Sequence, residues 1–124
     1  MSKNSLLIKG GLVVADGESR KVDLLVVDGK IAEIGESLIA GEGVEVFDAE
    51  GCVVTYGLAD VHVHLREPGY SAKETITTGT RAAARGGVTT VCSMPNLLPA
   101  PDAPETIAIE QHLIDEQAVI EVLP

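Results

Sequence analysis

Apolar and polar positions change their spacing about two-fifths of the way along the chain. Up to about residue 53, short apolar runs alternate with turn residues. Leu6 to Ala15 is one such run, broken by Lys9-Gly10-Gly11, and predicts one or two short strands. Asp16-Gly17 predicts a turn, Val22 to Val27 a strand, Asp28-Gly29 a second turn, and Lys30 to Ile34 a further strand. Strand, Asp-Gly, strand is the strongest short-range hairpin signal a sequence carries. Gly35 to Gly43 reads as loop, Val44 to Phe47 as a short strand, and Asp48 to Gly51 as another turn. Residues 1–53 therefore read as a small β module with a structural role.

From residue 54 to 124 the pattern is strand, helix, strand, helix, strand. Val53 to Leu65 holds the first strand. Within Asp60-Val61-His62-Val63-His64-Leu65, period-2 alternation puts Asp60, His62 and His64 on one face and Val61, Val63 and Leu65 on the other. Ser71 and Glu74 have the spacing of a capping box, which predicts a helix from Ala72 to Arg85. Its face of Ile76, Gly79, Thr80, Ala83 and Ala84 is small enough for close packing on a sheet. Gly86-Gly87 ends it. Val88 to Met94 is β-branched and mostly apolar, which predicts a strand buried on both faces. Pro95-Asn96 ends that strand, and Leu97 to Pro101 is loop. Asp102 with Glu105 predicts the start of a second helix running to Glu116, with Ile107, Ile109, Leu113 and Ile114 as its apolar positions. Val119 to Leu123 predicts a third strand. Such an alternation builds a parallel sheet, whose chemistry gathers at the carboxyl ends of the strands. His62, His64, Arg66 and Asn96 then share one rim.

Those four side chains define a chemistry. Two imidazoles two residues apart on a rigid strand suit zinc or another first-row metal, with two satisfied core histidines as the alternative. A half-buried strand has no other use for three titratable groups on one face, because burying each costs free energy unless it is paired or ligated. Arg66 supplies bidentate recognition of a carboxylate, with pairing to Glu67 or another acid as the alternative. Asn96 can donate to a second oxygen, or it can simply serve the turn after Pro95. Asp60 reads as a carboxylate that orients a histidine or supports the strand. Glu67 and Tyr70 read as solvated loop residues, and His112 as a structural residue in mid-helix.

Composition narrows the partners. The chain has 124 residues, enough for one ordinary domain, and a hydrophobic fraction of 45% that is normal for a globular protein. A net charge of −10 argues against nucleic acid or an anionic membrane as a partner. Cys52 and Cys92 are far apart, so reduced thiols in the cytoplasm are expected. The amino-terminal residues lack the apolar core of a signal peptide, and no segment approaches the ~20 apolar residues of a membrane span.

These residues resemble a known family. Asp60-Val-His62-Val-His64-Leu-Arg66-Glu-Pro-Gly69, Lys73-Glu74-Thr75, Gly79-Thr80, Ala82-Ala83-Ala84, Gly86-Gly87-Val-Thr-Thr90 and Met94-Pro95-Asn96 look like the N-terminal third of a dihydroorotase of the amidohydrolase superfamily. Tyr56-Gly57 departs from the Pro-Gly that family commonly carries there. The resemblance implies an α/β fold, the first units of a metal-dependent hydrolase (β/α)8 TIM barrel, preceded by a small β-sandwich-like module built from both chain ends. It implies one or two zinc ions on His62 and His64, and a substrate carboxylate held by Arg66 and Asn96. It implies reversible ring closure of N-carbamoyl-L-aspartate to dihydroorotate in pyrimidine synthesis. A homodimer, or a complex with other enzymes of that pathway, is the implied assembly. Such a barrel takes ~250 residues. The remaining ligands and the catalytic base are therefore expected downstream, and the 124 residues alone are expected to be inactive. Other cyclic amidohydrolases of the allantoinase or hydantoinase type, or a truncated partner with a structural role, are the competing expectations.

Overall fold

The computed structural model describes residues 5–124, which separate into two compact units, one ending at Tyr56 and one starting at Gly57. In the first, β1 (Ser5–Ala15), β2 (Glu18–Val27) and β3 (Lys30–Gly35) form an antiparallel meander. Both Asp-Gly pairs make the turns. Asp16 and Gly17 have φ of 53° and 81°, and Asp28 and Gly29 have 49° and 75°. Positive φ at both central residues matches the right-handed twist of the flanking strands.

Leu6 to Ala15 is one strand, not two. Its pairing with β2 slips between Ile8 and Gly11, where Gly10 has a φ of 71°. On its other edge β1 pairs in parallel first with β4 (Glu45–Asp48) and then with β5 (Val53–Val54). The buried Asp23 carboxylate accepts from the amides of Gly10 at 2.8 Å and Leu38 at 2.9 Å, which fixes the slip and the following loop. Within this first unit the described residues build one five-stranded sheet, ordered β3-β2-β1-β4 with β5 also on β1.

The second unit runs β6 (Leu58–Val63), α1 (Ile76–Arg85), β7 (Val88–Ser93), α2 (Pro104–Gln117) and β8 (Glu121–Leu123). The strands lie in the order β6-β7-β8, all parallel. Leu65, Ile76, Val91, Ile114 and Val122 form its core. Full burial in β7 falls on one face: Val91 and Ser93 are buried, while Val88, Thr90 and Cys92 on the other face are half-buried. Strand, helix, strand, helix, strand is therefore present, but a closed barrel is not formed by the described residues.

Both helices start later than the capping patterns predict. In α1 the N-cap is Thr75, whose hydroxyl accepts from the Thr78 amide at 3.1 Å, while the Thr78 hydroxyl accepts from the Thr75 amide at 3.2 Å. Ser71 is not a cap; it donates to the Glu67 carboxylate at 2.9 Å. In α2 the N-cap is Ala103, not Asp102. Pro104 decides this, because proline suits the first helical position and pushes its predecessor to an extended conformation. Ala103 accordingly has φ −143° and ψ 157°. Gly86 and Gly87 close α1 as expected, with Gly87 at a φ of 82°.

Candidate functional site

The end of β6 is held by what packs behind it. Leu65 is buried, and a β-carbon at Gly79 of α1 would stand 2.7 Å from its Cδ2. A bare glycine at that point of the helix is what lets Leu65 seat. Leu65 in turn fixes its neighbours His64 and Arg66 at the strand's carboxyl end.

Ahead of Leu65 the strand is irregular. The pairing of β6 with β7 slips by one residue between Asp60 and Val63. Within the slip the Asp60 carboxylate accepts from the His62 amide at 3.0 Å. Asp60 thus braces the backbone of the bulge. Val61 is 71% exposed and does not join Val63 and Leu65 on a buried face, so strict alternation fails here. Bulges of this kind re-aim side chains beside functional sites. The His62 and His64 rings end 5.3 Å apart, centroid to centroid, at an interplanar angle of 73°.

The next strand supplies the third side chain. The Met94 amide donates to the Val63 carbonyl at 2.8 Å, which carries the pairing past the end of β7. Two residues on, Asn96 Oδ1 lies 2.8 Å from His64 Nδ1. With the carboxamide oxygen toward the ring, Nδ1–H donates, and Nε2 keeps its lone pair for a ligand. The amide nitrogen of Asn96 still has donors to offer.

Arg66 is half-buried with a φ of 65°, and among the described residues no carboxylate lies within ion-pair distance of it. The alternative of pairing with Glu67 is not taken. Glu67 is not a solvated loop residue either: besides Ser71, its carboxylate accepts from the Ile76 amide at the start of α1, at 3.0 Å. Tyr70 is exposed, with the Lys73 ammonium 5.4 Å from its ring centroid. His112 is exposed on α2, 3.5 Å from Glu116.

The histidines fit a shared metal ion. A tetrahedral zinc with Zn–N of about 2.1 Å sets two ligand rings roughly 5 Å apart, centroid to centroid, which the observed spacing matches. Two imidazoles are half a ligand set. Among the described residues no group of three His, Cys, Asp or Glu gathers for a metal.

One buried polar pair was not legible from the sequence. Glu110 of α2 is 2% exposed, and Ser93 at the end of β7 is buried with its Oγ lacking a hydrogen-bond partner. Burial raises the Glu110 carboxyl above the usual range. The available signal was spacing: Glu110 lies one helical turn before the core residue Ile114.

The architecture is that of a known class. The chain superposes on a crystal structure of D-hydantoinase with a TM-score of 0.81 and 36% identity, covering 96% of this chain and 26% of that one. This is the N-terminal part of an amidohydrolase structure. The match by sequence is narrower. Residues 51–124 match the model of the dihydro-orotase-like family, and the chain belongs to that family. It is 53% identical over 119 residues to the dihydroorotase of Staphylococcus aureus strain Mu50, covering 95% of this chain. It is 50% identical over 121 residues to that of Bacillus cereus strain B4264, covering 98%. The chain spans 28% of the length of each of these relatives.

Proposed function

We propose that this chain carries part of the active site of a dihydroorotase, which closes N-carbamoyl-L-aspartate reversibly to dihydroorotate in de novo pyrimidine synthesis. One observation carries the reading: two imidazoles 5.3 Å apart at the carboxyl end of a parallel strand, with a carboxamide from the next strand seated on one of them. The identities of 53% and 50% to dihydroorotases support the substrate assignment.

His62 and His64 would hold the ion through ring nitrogens, and Asn96 would fix the tautomer of His64. When bound, zinc supplies a Lewis acid for the amide carbonyl and an acidified water. Arg66 would clamp the substrate carboxylate with two parallel N–H donors. The free donors of Asn96 would take a carboxylate oxygen beside it. The proton-transferring base and the further ligands fall to residues outside this chain. The substrate is a small anion, in keeping with a rim that offers a free guanidinium.

We extend the reading to the cytoplasm, where Cys52 and Cys92 remain thiols. No helix among the described residues is long and apolar enough to cross a membrane. Assembly as a homodimer or with other enzymes of the pathway belongs to the same proposal.

The likeness to D-hydantoinase favours a second reading, in which the ring opened is an uncharged cyclic imide. Arg66 separates the two, since an uncharged ring gives a guanidinium nothing to pair with. The test is the protein in its natural length, assayed with dihydroorotate and with hydantoin. Turnover of dihydroorotate, abolished with zinc binding by His62→Ala, is the expected result. Unchanged zinc content in His62→Ala would overturn the metal assignment, and preference for hydantoin would overturn the substrate.

A further inference from the structure

The segments that carry Arg66 and Asn96 leave neighbouring strands and have every chance to spread apart. They are fastened together instead. The Leu98 amide donates to the Pro68 carbonyl at 3.1 Å. One residue on, Gly69 approaches Leu98 so closely that a β-carbon would stand 2.6 Å from its carbonyl oxygen and 2.9 Å from its amide nitrogen. Gly69 also has a φ of +99°, a conformation L side chains rarely adopt. A rotamer change cannot relieve contacts made by backbone atoms.

The turn that Gly69 belongs to is closed on itself. The Tyr70 amide donates to the Arg66 carbonyl at 2.8 Å. Glu67 ties the other side of the turn to α1 through the Ile76 amide and to Ser71. Arg66 therefore stands at the root of a turn anchored to α1 on one side and to the Asn96 segment on the other.

We propose that Gly69 is a positioning residue: its backbone contact with Leu98 sets the Arg66 guanidinium against Asn96 and so makes the site select cyclic amides that bear a carboxylate. The inference rests on the reading of Arg66 and Asn96 as the carboxylate-binding pair. Bidentate pairing needs the guanidinium in one plane and one place, and a displacement of about 1 Å is enough to forfeit most of its advantage. Adding one β-carbon at Gly69 has to move the turn, because Leu98 cannot yield without moving its own main chain.

The test uses the zinc-loaded protein in its natural length, with dissociation constants for dihydroorotate and for dihydrouracil, the same ring without the carboxylate. Gly69→Ala is expected to cut the preference for dihydroorotate about tenfold while zinc per chain stays at the wild-type value. Leu98→Ala keeps the backbone and Cβ that Gly69 meets, and is expected to keep the preference. Loss of zinc together with affinity in Gly69→Ala would overturn the proposal, because Gly69 would then support the whole rim. An undiminished preference in Gly69→Ala would overturn it as well. A wild-type protein with no preference for dihydroorotate would instead sink the underlying carboxylate reading.

Discussion

Asn96 carries one acceptor and two donors on a single carboxamide. Its oxygen is committed to His64 at 2.8 Å, which leaves its donors for another partner. The two ends of the side chain are therefore separable by substitution. Asn96→Ala removes the acceptor that holds the His64 tautomer, and zinc affinity is expected to fall 10–100-fold, as is typical when the partner of a ligating histidine is lost. Asn96→Asp keeps an oxygen for the ring but replaces the donors with charge. Zinc binding is expected to survive, while dihydroorotate binding falls at least tenfold. Competition with a chromogenic chelator reads the first effect, and calorimetry with dihydroorotate reads the second. Equal zinc loss in both variants would show that the carboxamide does not divide its roles this way.

Between strands and helices, local chemistry was legible wherever a turn or cap acts alone. Asp16-Gly17 and Asp28-Gly29 announce their hairpins because both positions adopt the φ only such residues tolerate cheaply. Gly87 announces a helix end for the same reason, with a φ of 82°. The parallel order of β6, β7 and β8 follows from helical patterns between strands, and with it the gathering of His62, His64 and Asn96. What was not legible depends on competition. Ser71 has the pattern of a cap, but Glu67 takes its hydroxyl and also the first amide of α1, and the cap moves to Thr75. The slip at Val61 and His62 leaves no composition signal, since neither residue is a glycine or proline. Glu67 offers a check on this account. A carboxylate that accepts an N-terminal amide also meets the positive end of the helix dipole. Glu67→Ala is expected to cost about 1 kcal/mol, in the range of other lost N-terminal caps, and Glu67→Gln about half of that. Thermal unfolding of the two variants measures it, and a Gln variant as damaging as Ala would mean that charge outweighs the hydrogen bond.

Over the whole molecule, 19 acidic against 9 basic residues give a net charge of −10, and most of those charges stand in water. Glu110 does not. It sits at the level of Ser93 between α2 and the parallel sheet, almost fully buried and without an ion pair among the described residues. Burial favours its neutral form, so the folded chain holds that proton more tightly than the unfolded chain does. The sign follows. Stability tied to this group is fully present below the ordinary glutamate range and is lost as pH rises through the raised value. Above that raised value the fold carries the cost of a poorly compensated carboxylate. Glu110→Gln keeps the size and the hydrogen-bonding reach toward Ser93 but removes the charge. The variant is expected to be more stable than the natural protein at pH 7.5, by about 1 kcal/mol, the low end for a buried polar group left unpaired. That advantage should shrink steadily as the pH falls through the raised value toward the ordinary glutamate value of 4.5, because the natural glutamate regains its proton on the way. Denaturant unfolding of both proteins across that range decides the matter. A constant difference at every pH would mean that Glu110 acts through its shape alone, and a less stable Gln variant at pH 7.5 would mean that its charge is answered by a partner outside the described residues.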